Sequence, residues 1–293
     1  MAKARHGRRN FAGVIFKIAL IVFLVSAGVL VYLFGTYYYG QKQYDDLKSF
    51  TDIEAKTLGD VTIDWDALAE INPDIVGWVY VPDTVISYPI VWKKDDNDYY
   101  LNHNFNNKST QFGAEYGCIF LAGTNNKDWS DNSNFVFGHN MWNGSVFSVF
   151  SDEQGNSDWF NKHRLIYVFT PQGNYALQTY AENKVDESAK NIFYSTFPTT
   201  SSLQEYVDTR KAESIVTPDP PAKETAKIAR LFTFSTCSSP DDDKRIVVFS
   251  DVVEYYDFYD QTKNINIAPG TKGSAVSQQT INTIADTSAS RQQ

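Results

Sequence analysis

Residues 18–35 form an uncharged, apolar run, and this run most limits how the chain can fold. Together with residues 11–16 it is long enough to cross about 30 Å of bilayer hydrocarbon as a helix. The alternative is a cleaved signal peptide, whose apolar region is usually about 7 to 15 residues long and ends at a small-x-small site. Here the run continues instead into Tyr37-Tyr38-Tyr39. The sequence therefore predicts an uncleaved membrane anchor over residues 11–39.

Charge is distributed unevenly on the two sides of this anchor. The first forty residues carry five of the 26 basic residues and no acid, whereas the rest carries 35 acidic residues and a net charge of −14. Because basic residues flank the cytoplasmic ends of membrane helices, residues 1–10 are predicted to be cytoplasmic and everything after residue 40 extracellular. The acidic exterior part excludes nucleic acid as a partner.

Beyond the anchor the chain breaks into short β-type runs separated by turn residues. They occupy residues 75–81, 85–92, 118–122, 134–137, 164–170, 175–181, 228–236 and 245–253. Many short strands with few helices between them favour a mainly β barrel or sandwich over a doubly wound parallel sheet. One helix, at residues 202–212, is expected to begin at a Ser202 cap and to separate the sixth strand from the seventh.

The pattern indicates one folded domain with a stalk before it and a tail after it. Residues 40–70 are predicted to be a juxtamembrane stalk with short helices, in which Tyr44 and Leu47 belong to a three-residue apolar spacing that packs on the domain. Residues 71–258 are the predicted domain. Residues 259–293 are rich in Gln, Thr, Ser and Asn without a sustained period, and are predicted to be a flexible polar tail.

The two cysteines, Cys118 and Cys237, allow two interpretations. In an oxidising compartment a lone pair is most simply one disulfide. Alternatively, Cys237 is a reactive thiol, since it ends the seventh strand before a turn-rich sequence, and rims and loops are where reactive groups are displayed. Arg245 opens the next strand eight residues later. An antiparallel return brings this cation beside Cys237, where it favours the thiolate.

A thiol nucleophile also requires a proton carrier, and three histidines follow the anchor. His163 lies in a polar run and is predicted to be a solvated loop residue. His103 is less distinctive. His139 follows Phe-Val-Phe-Gly, so it leaves a strand end after a glycine that permits a sharp turn. It is the preferred candidate for proton transfer.

Several short motifs, taken in order, resemble the sortase family and its class B in particular. They are Ile71-Asn72-Pro73-Asp74, Asp98-Tyr99-Tyr100-Leu101-Asn102-His103, Gly138-His139-Asn140-Met141, Gly144-Ser145-Val146-Phe147, Thr233-Phe234-Ser235-Thr236-Cys237 and Arg245. The likeness spans roughly residues 64–253. One departure is Phe234, which stands where leucine is usual and can be accommodated by repacking.

This resemblance implies an eight-stranded barrel and a cysteine transpeptidase. Such an enzyme cleaves the C-terminal sorting signal of a secreted protein after threonine, and joins the new carboxyl end to an amine of a cell-wall precursor or a pilin lysine. The resemblance places catalytic roles at His139, Cys237 and Arg245. It places substrate contacts at Asn102, Ile192, Phe193 and Ser235.

No metal or cofactor is predicted. The aspartates at positions 95, 96 and 98 form the most suggestive acidic run, but they lack the glycine and the distant glutamate of a calcium loop. They are therefore interpreted as a solvated turn.

Two other functions remain open from the sequence. An anchored cysteine peptidase would pass its acyl-enzyme to water instead of to an amine. A non-enzymatic surface β domain would hold a Cys118–Cys237 disulfide, although Cys118 is expected to be a buried structural thiol. Two roles for Arg245 also remain, namely orientation of the substrate and stabilisation of the oxyanion.

Overall fold

The chain forms a closed β-barrel behind one long N-terminal helix. The computed structural model describes the backbone of residues 5–53, 57–107, 117–189, 191–239 and 242–273, and their side chains except at 5–10, 237–239 and 242. The helices are α1 (Arg5–Leu47), α2 (Trp65–Ile71), α3 (Ser148–Asp152), α4 (Ser157–Lys162) and α5 (Thr200–Ala212). The strands are β1 (Thr51–Asp52), β2 (Thr62–Ile63), β3 (Ile75–Tyr80), β4 (Ser87–Trp92), β5 (Ile119–Leu121), β6 (Ser133–Phe137), β7 (Leu165–Phe169), β8 (Gly173–Asp186), β9 (Leu231–Ser239) and β10 (Asp242–Asp257).

Strands β3 to β10 close the barrel in the order β10-β8-β7-β3-β4-β5-β6-β9, which confirms the predicted eight-stranded fold. Most neighbours are antiparallel, but β4 pairs with β5 and β6 pairs with β9 in parallel. The interior is filled by large side chains such as Trp78, Phe232 and Ile246, which are fully buried. Each such side chain contributes about 1.5 to 3 kcal/mol through burial.

The strands β8 and β10 are longer than the apolar pattern predicted. They pair from Lys244↔Asp186 at one end to Asp257↔Gly173 at the other. The prediction stopped at residues 181 and 253 because the sequence becomes polar there, whereas ladder hydrogen bonds continue wherever a partner backbone is present. Register shifts between Phe249 and Ser250 and between Val252 and Glu254 mark irregularities of the kind that let a long strand bend around a barrel.

The helix α5 lies between the sixth and seventh barrel strands, as predicted, but its cap differs. The N-cap is Thr199, whose Oγ1 accepts from the Ser202 backbone N at 3.1 Å, while Ser202 Oγ accepts from the Thr199 N at 3.2 Å. Ser202 is thus the third residue of a reciprocal capping box and not the cap. The helix buries Leu203, Tyr206 and Val207 in a second apolar cluster against β8 and β10.

The helix α1 runs from the predicted anchor into the domain without a break. It is long and apolar enough to cross a membrane, with a mean hydropathy of 2.8, and its apolar window is not covered by the rest of the protein. At its C-terminal end Tyr44 and Leu47 are buried in the main core. The prediction that this segment packs on the domain is confirmed.

His163 is not the solvated loop residue that the sequence predicted. It is buried, its Nδ1 lies 2.9 Å from the Trp159 carbonyl oxygen, and its ring centroid lies 4.4 Å from that of Trp159. The sequence did not indicate that His163 is buried, because its immediate neighbours are polar. Its packing partner is Trp159, which lies one helical turn earlier.

Part of the predicted tail packs on the barrel. Ile265 forms a β-bridge with Tyr255, Asn266 Nδ2 donates to the Val253 carbonyl at 2.6 Å, and the Gly59 N donates to the Lys272 carbonyl at 2.7 Å. The packed chain therefore extends to residue 273, past the boundary predicted at 258. The rest of the predicted tail lies outside the described residues.

Glu182 on β8 makes folding stability depend on pH. Its carboxylate accepts from the Gly155 N at 2.9 Å, but burial raises the pKa of this carboxyl to about 7. Because the folded state favours the protonated form, the free energy of unfolding is highest below the unfolded pKa near 4.5 and falls as pH rises towards 7. The full loss is at most about 3 kcal/mol.

We expect Glu182→Gln to remove this dependence, since glutamine keeps an oxygen for the Gly155 N and cannot ionise. Chemical denaturation at pH 5 and pH 8 should show a smaller decline for the variant than for the wild type. Glu187→Gln, which removes an exposed carboxylate elsewhere, serves as the control. Equal declines in wild type and E182Q would contradict the assignment.

Candidate active site

Strand pairing brings His139, Cys237 and Arg245 to one rim of the barrel. In the parallel pair β6–β9, Phe137 is opposite Ser235, and the Gly138 N donates to the Ser235 carbonyl at 3.1 Å. His139 and Cys237 each follow these paired residues by two positions, so they lie at the same end of neighbouring strands. The strand β9 continues past Cys237 to Ser239, so Cys237 does not end its strand as the sequence predicted. Arg245 on β10 is the direct register partner of Cys237 on β9. The three residues come from positions up to 106 apart in the sequence.

The ring of His139 is oriented by a main-chain carbonyl. Its Nε2 lies 2.8 Å from the Leu101 carbonyl oxygen, and the ring is half-buried. Because a carbonyl oxygen only accepts, this hydrogen bond requires the proton on Nε2. The Nδ1 atom is therefore the nitrogen left to exchange a proton with a reacting group, in the way that a carboxylate partner fixes the ring in other catalytic sites.

Gly117 allows the chain to pass close behind this ring. A Cβ atom built on Gly117 would lie 2.5 Å from the Tyr100 carbonyl oxygen, 2.6 Å from that of Leu101 and 2.7 Å from His139 Nε2. All three distances are shorter than real Cβ contacts, and two of the atoms belong to the backbone. Only glycine fits here without moving the histidine or its acceptor.

The long helix α1 supports the same region from behind. The Tyr44 hydroxyl donates to the Gly117 carbonyl at 2.9 Å and lies 3.5 Å from Cys118 Sγ. Burial raises the pKa of the Tyr44 hydroxyl well above its usual value, so it stays protonated and able to donate. The C-terminal end of α1 is thus two contacts away from His139.

Cys118 is a free, buried thiol, and the alternative of a Cys118–Cys237 disulfide is wrong. Burial raises the pKa of Cys118 to about 12, which keeps it neutral and unreactive at physiological pH. Its packing at the start of β5, beside Tyr44, agrees with the predicted structural role.

Arg245 is held by an acidic neighbour that the sequence analysis missed. Its Nη2 donates to Glu187 Oε1 at 2.7 Å, and the Glu187 N in turn donates to the Asp243 carbonyl at 2.9 Å. Glu187 is about half exposed. Such exposed ion pairs contribute about 0 to 1 kcal/mol, so a substrate group can displace this carboxylate at little cost.

The four predicted substrate-contact residues occupy different environments. Asn102 is exposed beside Leu101 and donates to the Asp98 carbonyl at 3.0 Å. Ser235 is buried on β9, and its Oγ has no hydrogen-bond partner among the described residues. Phe193 packs over β6, with its ring centroid 5.3 Å from those of Phe135 and Phe137. Ile192 is 2% exposed and belongs to the second apolar cluster, beneath α5.

Among the described residues, His103 makes its contacts with Tyr99 and not with the rim. Its ring stacks on Tyr99 at a centroid distance of 4.1 Å, and its Nδ1 lies 2.8 Å from the Tyr99 carbonyl oxygen. Both contacts are with a residue one turn earlier in the same segment. They give His103 a role in the local structure of the segment that carries Leu101.

A closed eight-stranded barrel with this strand order, behind an N-terminal helix, is the fold of a class of cysteine transpeptidases. Among solved structures, sortase B of Bacillus anthracis matches with a TM-score of 0.63 at 26% identity, over 75% of this chain and 99% of that one. The sortase B–substrate complex of Staphylococcus aureus matches with a TM-score of 0.56 at 26% identity, over 64% of this chain and 84% of that one. No family model matches the sequence.

Curated sequences give the more specific assignment. Sortase B of Listeria monocytogenes is 31% identical over 226 residues, which cover 72% of this chain and 87% of that protein. The chain therefore belongs to the sortase B family, and it is a cysteine transpeptidase.

Replacing Gly117 should impair the enzyme through His139. We expect Gly117→Ala to lower kcat by about 10²-fold, because the new methyl group displaces the ring or the Leu101 carbonyl by roughly an ångström. Peptide cleavage by the folded variant measures the effect, with thermal unfolding to confirm folding. The imidazole ¹⁵N spectrum of His139 should show a reduced share of the Nε2-protonated form.

Gly59→Ala is the matched control for this experiment. A Cβ there would lie 2.6 Å from the Lys272 Cβ, so the site is comparably crowded, but it contacts the C-terminal segment instead of the rim. We expect its kcat to match the wild type. A folded G117A enzyme with wild-type kcat and an unchanged ¹⁵N spectrum would refute the positioning role.

Proposed function

We propose that this sortase acts outside the cytoplasmic membrane, with Cys237 as nucleophile, His139 as proton carrier and Arg245 as the fixed cation. The observation that carries this proposal is their convergence, since Arg245 is paired with Cys237 in the β9–β10 ladder and His139 leaves β6 at the same rim. A cation beside a cysteine lowers the thiol pKa and stabilises the thiolate. An imidazole within the same rim completes the groups that acyl transfer requires.

In the first half-reaction the Cys237 thiolate attacks the carbonyl carbon of the peptide bond that follows threonine in the sorting signal. The carbonyl oxygen becomes an oxyanion, and Arg245 either stabilises that charge or orients the peptide. The C–N bond then breaks, while the imidazolium of His139 gives its Nδ1 proton to the leaving amine. The products are a thioacyl-enzyme and the free C-terminal fragment.

In the second half-reaction an amine attacks the thioester carbonyl. Neutral His139 accepts a proton at Nδ1 from the attacking nitrogen, the C–S bond breaks, and the thiolate is regenerated. Throughout both steps Nε2 keeps its hydrogen bond to the Leu101 carbonyl, so the ring does not have to turn. We propose an amine of a cell-wall precursor as the acceptor, with a pilin lysine as the second candidate.

The outer face of β9 is the proposed path of the sorting signal. Residues alternate across a strand, so Thr233, Ser235 and Cys237 share one face while Phe232 and Phe234 fill the interior. The buried Ser235 hydroxyl that lacks a partner is a group that a peptide backbone can satisfy. The substrate complex of the Staphylococcus aureus relative supports a bound peptide in this family.

We propose that α1 anchors the enzyme in the cytoplasmic membrane. Its apolar residues are exposed on all sides over a length that spans the hydrocarbon layer. The basic residues before position 18 favour a cytoplasmic N-terminus and an extracellular domain. This arrangement places the rim where secreted proteins emerge.

The proposal is tested by following product masses with a threonine-containing sorting peptide. Wild-type enzyme with an added amine should yield the amide of the new carboxyl end, and Cys237→Ala should yield none. Cys118→Ala, which removes the other thiol, should retain activity. A peptidase would instead give the hydrolysed acid in equal yield with and without the amine, and cleavage by C237A would exclude Cys237 as the nucleophile.

Arg245 is tested through separate measurements of kcat and KM. We expect Arg245→Ala to lower kcat/KM by about 10²-fold, because a fixed charge at the oxyanion or the substrate backbone is lost. A fall in kcat indicates oxyanion stabilisation, whereas a rise in KM indicates orientation of the peptide.

Glu187→Gln is the matched control for Arg245. It removes the partner of the guanidinium without removing the cation, and the exposed pair is worth at most about 1 kcal/mol. We expect its kcat/KM to stay within about fivefold of the wild type. An R245A enzyme with wild-type kcat/KM would contradict the assignment of Arg245.

A further inference from the structure

A tryptophan stands almost fully exposed in the loop that follows His139. The Trp142 side chain is 82% exposed. The loop around it is held firmly, since the Met141 N donates to Ser148 Oγ, the Gly144 N donates to the Met141 carbonyl at 2.9 Å, and Asn140 bridges to Val146. Val146 even adopts a positive φ of 59°, which is rare for a β-branched residue. A fixed backbone therefore presents the indole outward.

The same loop lies against the end of α1 that leaves the domain. The Val146 N donates to the Tyr88 hydroxyl at 3.2 Å, and the Gln41 and Ser145 side chains also hydrogen-bond that hydroxyl. Lys48 lies 6.0 Å from the centroid of the Tyr88 ring. The Tyr88 hydroxyl therefore points towards the N-terminal, membrane-side direction of α1. The loop therefore lies beside Gln41, at the point where α1 leaves the domain.

Aromatic residues occur on α1 at this level. Tyr38 and Tyr39, three and two residues before Gln41, are both well exposed, and the apolar run 18–35 ends shortly before them. Tyrosine and tryptophan concentrate at the membrane–water interface, where an apolar ring and a polar group are both satisfied. The loop at residues 140–146 has no charged side chain, although the domain is strongly acidic. This loop can therefore approach a lipid surface without the electrostatic repulsion that the acidic surface around it would meet.

We infer that Trp142 inserts into the headgroup region of the bilayer and, together with the tyrosines of α1, holds the His139–Cys237–Arg245 rim facing the membrane. The occupant of this surface is the lipid bilayer itself. The inference rests on the proposed anchoring by α1. It adds a second contact, which fixes the orientation of the domain about the anchor and brings the rim close to substrates that are themselves attached to the membrane.

The test uses the full-length enzyme in phosphatidylcholine vesicles whose acyl chains are brominated near the headgroup. Bromine quenches only indoles within contact range, and Trp142 is one of six tryptophans. We expect Trp142→Phe to reduce the quenched fraction by roughly twofold or more, since indoles that lie outside the interface escape the bromine. Lipids brominated near the bilayer centre should quench the wild type less.

A transplanted tryptophan provides the matched control. Tyr259 is also 82% exposed but follows the end of β10 that pairs with Gly173, at the opposite end of the barrel. The double variant Trp142→Phe/Tyr259→Trp should show no more quenching than W142F. Quenching restored to the wild-type level by Tyr259→Trp would overturn the inference.

The remaining outcomes separate this inference from the proposed function. If the enzyme co-floats with vesicles but W142F is quenched as strongly as the wild type, the anchor stands and the interfacial role of Trp142 is refuted. If the enzyme does not co-float, both fail. In vesicles without bromine, an emission shift of Trp142 on adding a soluble sorting peptide would assign the indole to peptide binding and overturn a lipid contact.

Discussion

The parallel pairing of β6 with β9 is the constraint on which the rest of the rim depends. Antiparallel neighbours would send the chain after Phe137 and the chain after Ser235 to opposite ends of the barrel. Parallel neighbours run in the same direction, so a histidine and a cysteine almost one hundred residues apart lie at the same end of the barrel. The β9–β10 hairpin then adds Arg245 by direct pairing. The positions of these three residues are thus set by the hydrogen bonds of the sheet.

The two ends of the helix α1 have different surroundings. Its apolar window is not covered by the rest of the described protein, whereas its last turns are part of the domain core through Tyr44 and Leu47. One continuous helix therefore contains both the apolar window and the residues that pack in the core. The hydroxyl of Tyr44 extends this connection to Gly117, and so to the wall behind His139.

The sequence was sufficient for the parts of the protein that depend on local pattern. The eight barrel strands, the position of α5 and the buried end of α1 all follow from apolar runs and their spacing. Contacts set by distant backbone were not accessible. Nothing in the sequence singles out Glu187 as the partner of Arg245. His163 lies in a polar run and was predicted to be solvated, whereas Trp159 covers it.

The same limit applied inside the candidate site. His139 was identifiable from its place after a strand and a glycine, but Leu101 and Gly117 contribute a carbonyl oxygen and an absent side chain. A main-chain carbonyl is present at every residue, and glycine contributes only by lacking a side chain, so neither stands out in a sequence. The extra length of β8 and β10 was missed for a similar reason, since main-chain pairing continues through residues whose side chains prefer water.

The carbonyl of Leu101 differs from a carboxylate partner in how it responds to pH and to substitution. A carboxylate that orients an imidazole can be protonated, and it can be lost through a single codon change. A peptide oxygen has no titration in the physiological range and is present whatever residue occupies position 101. The acceptor that orients the His139 ring therefore stays the same at any pH at which the protein is folded, because it belongs to the main chain.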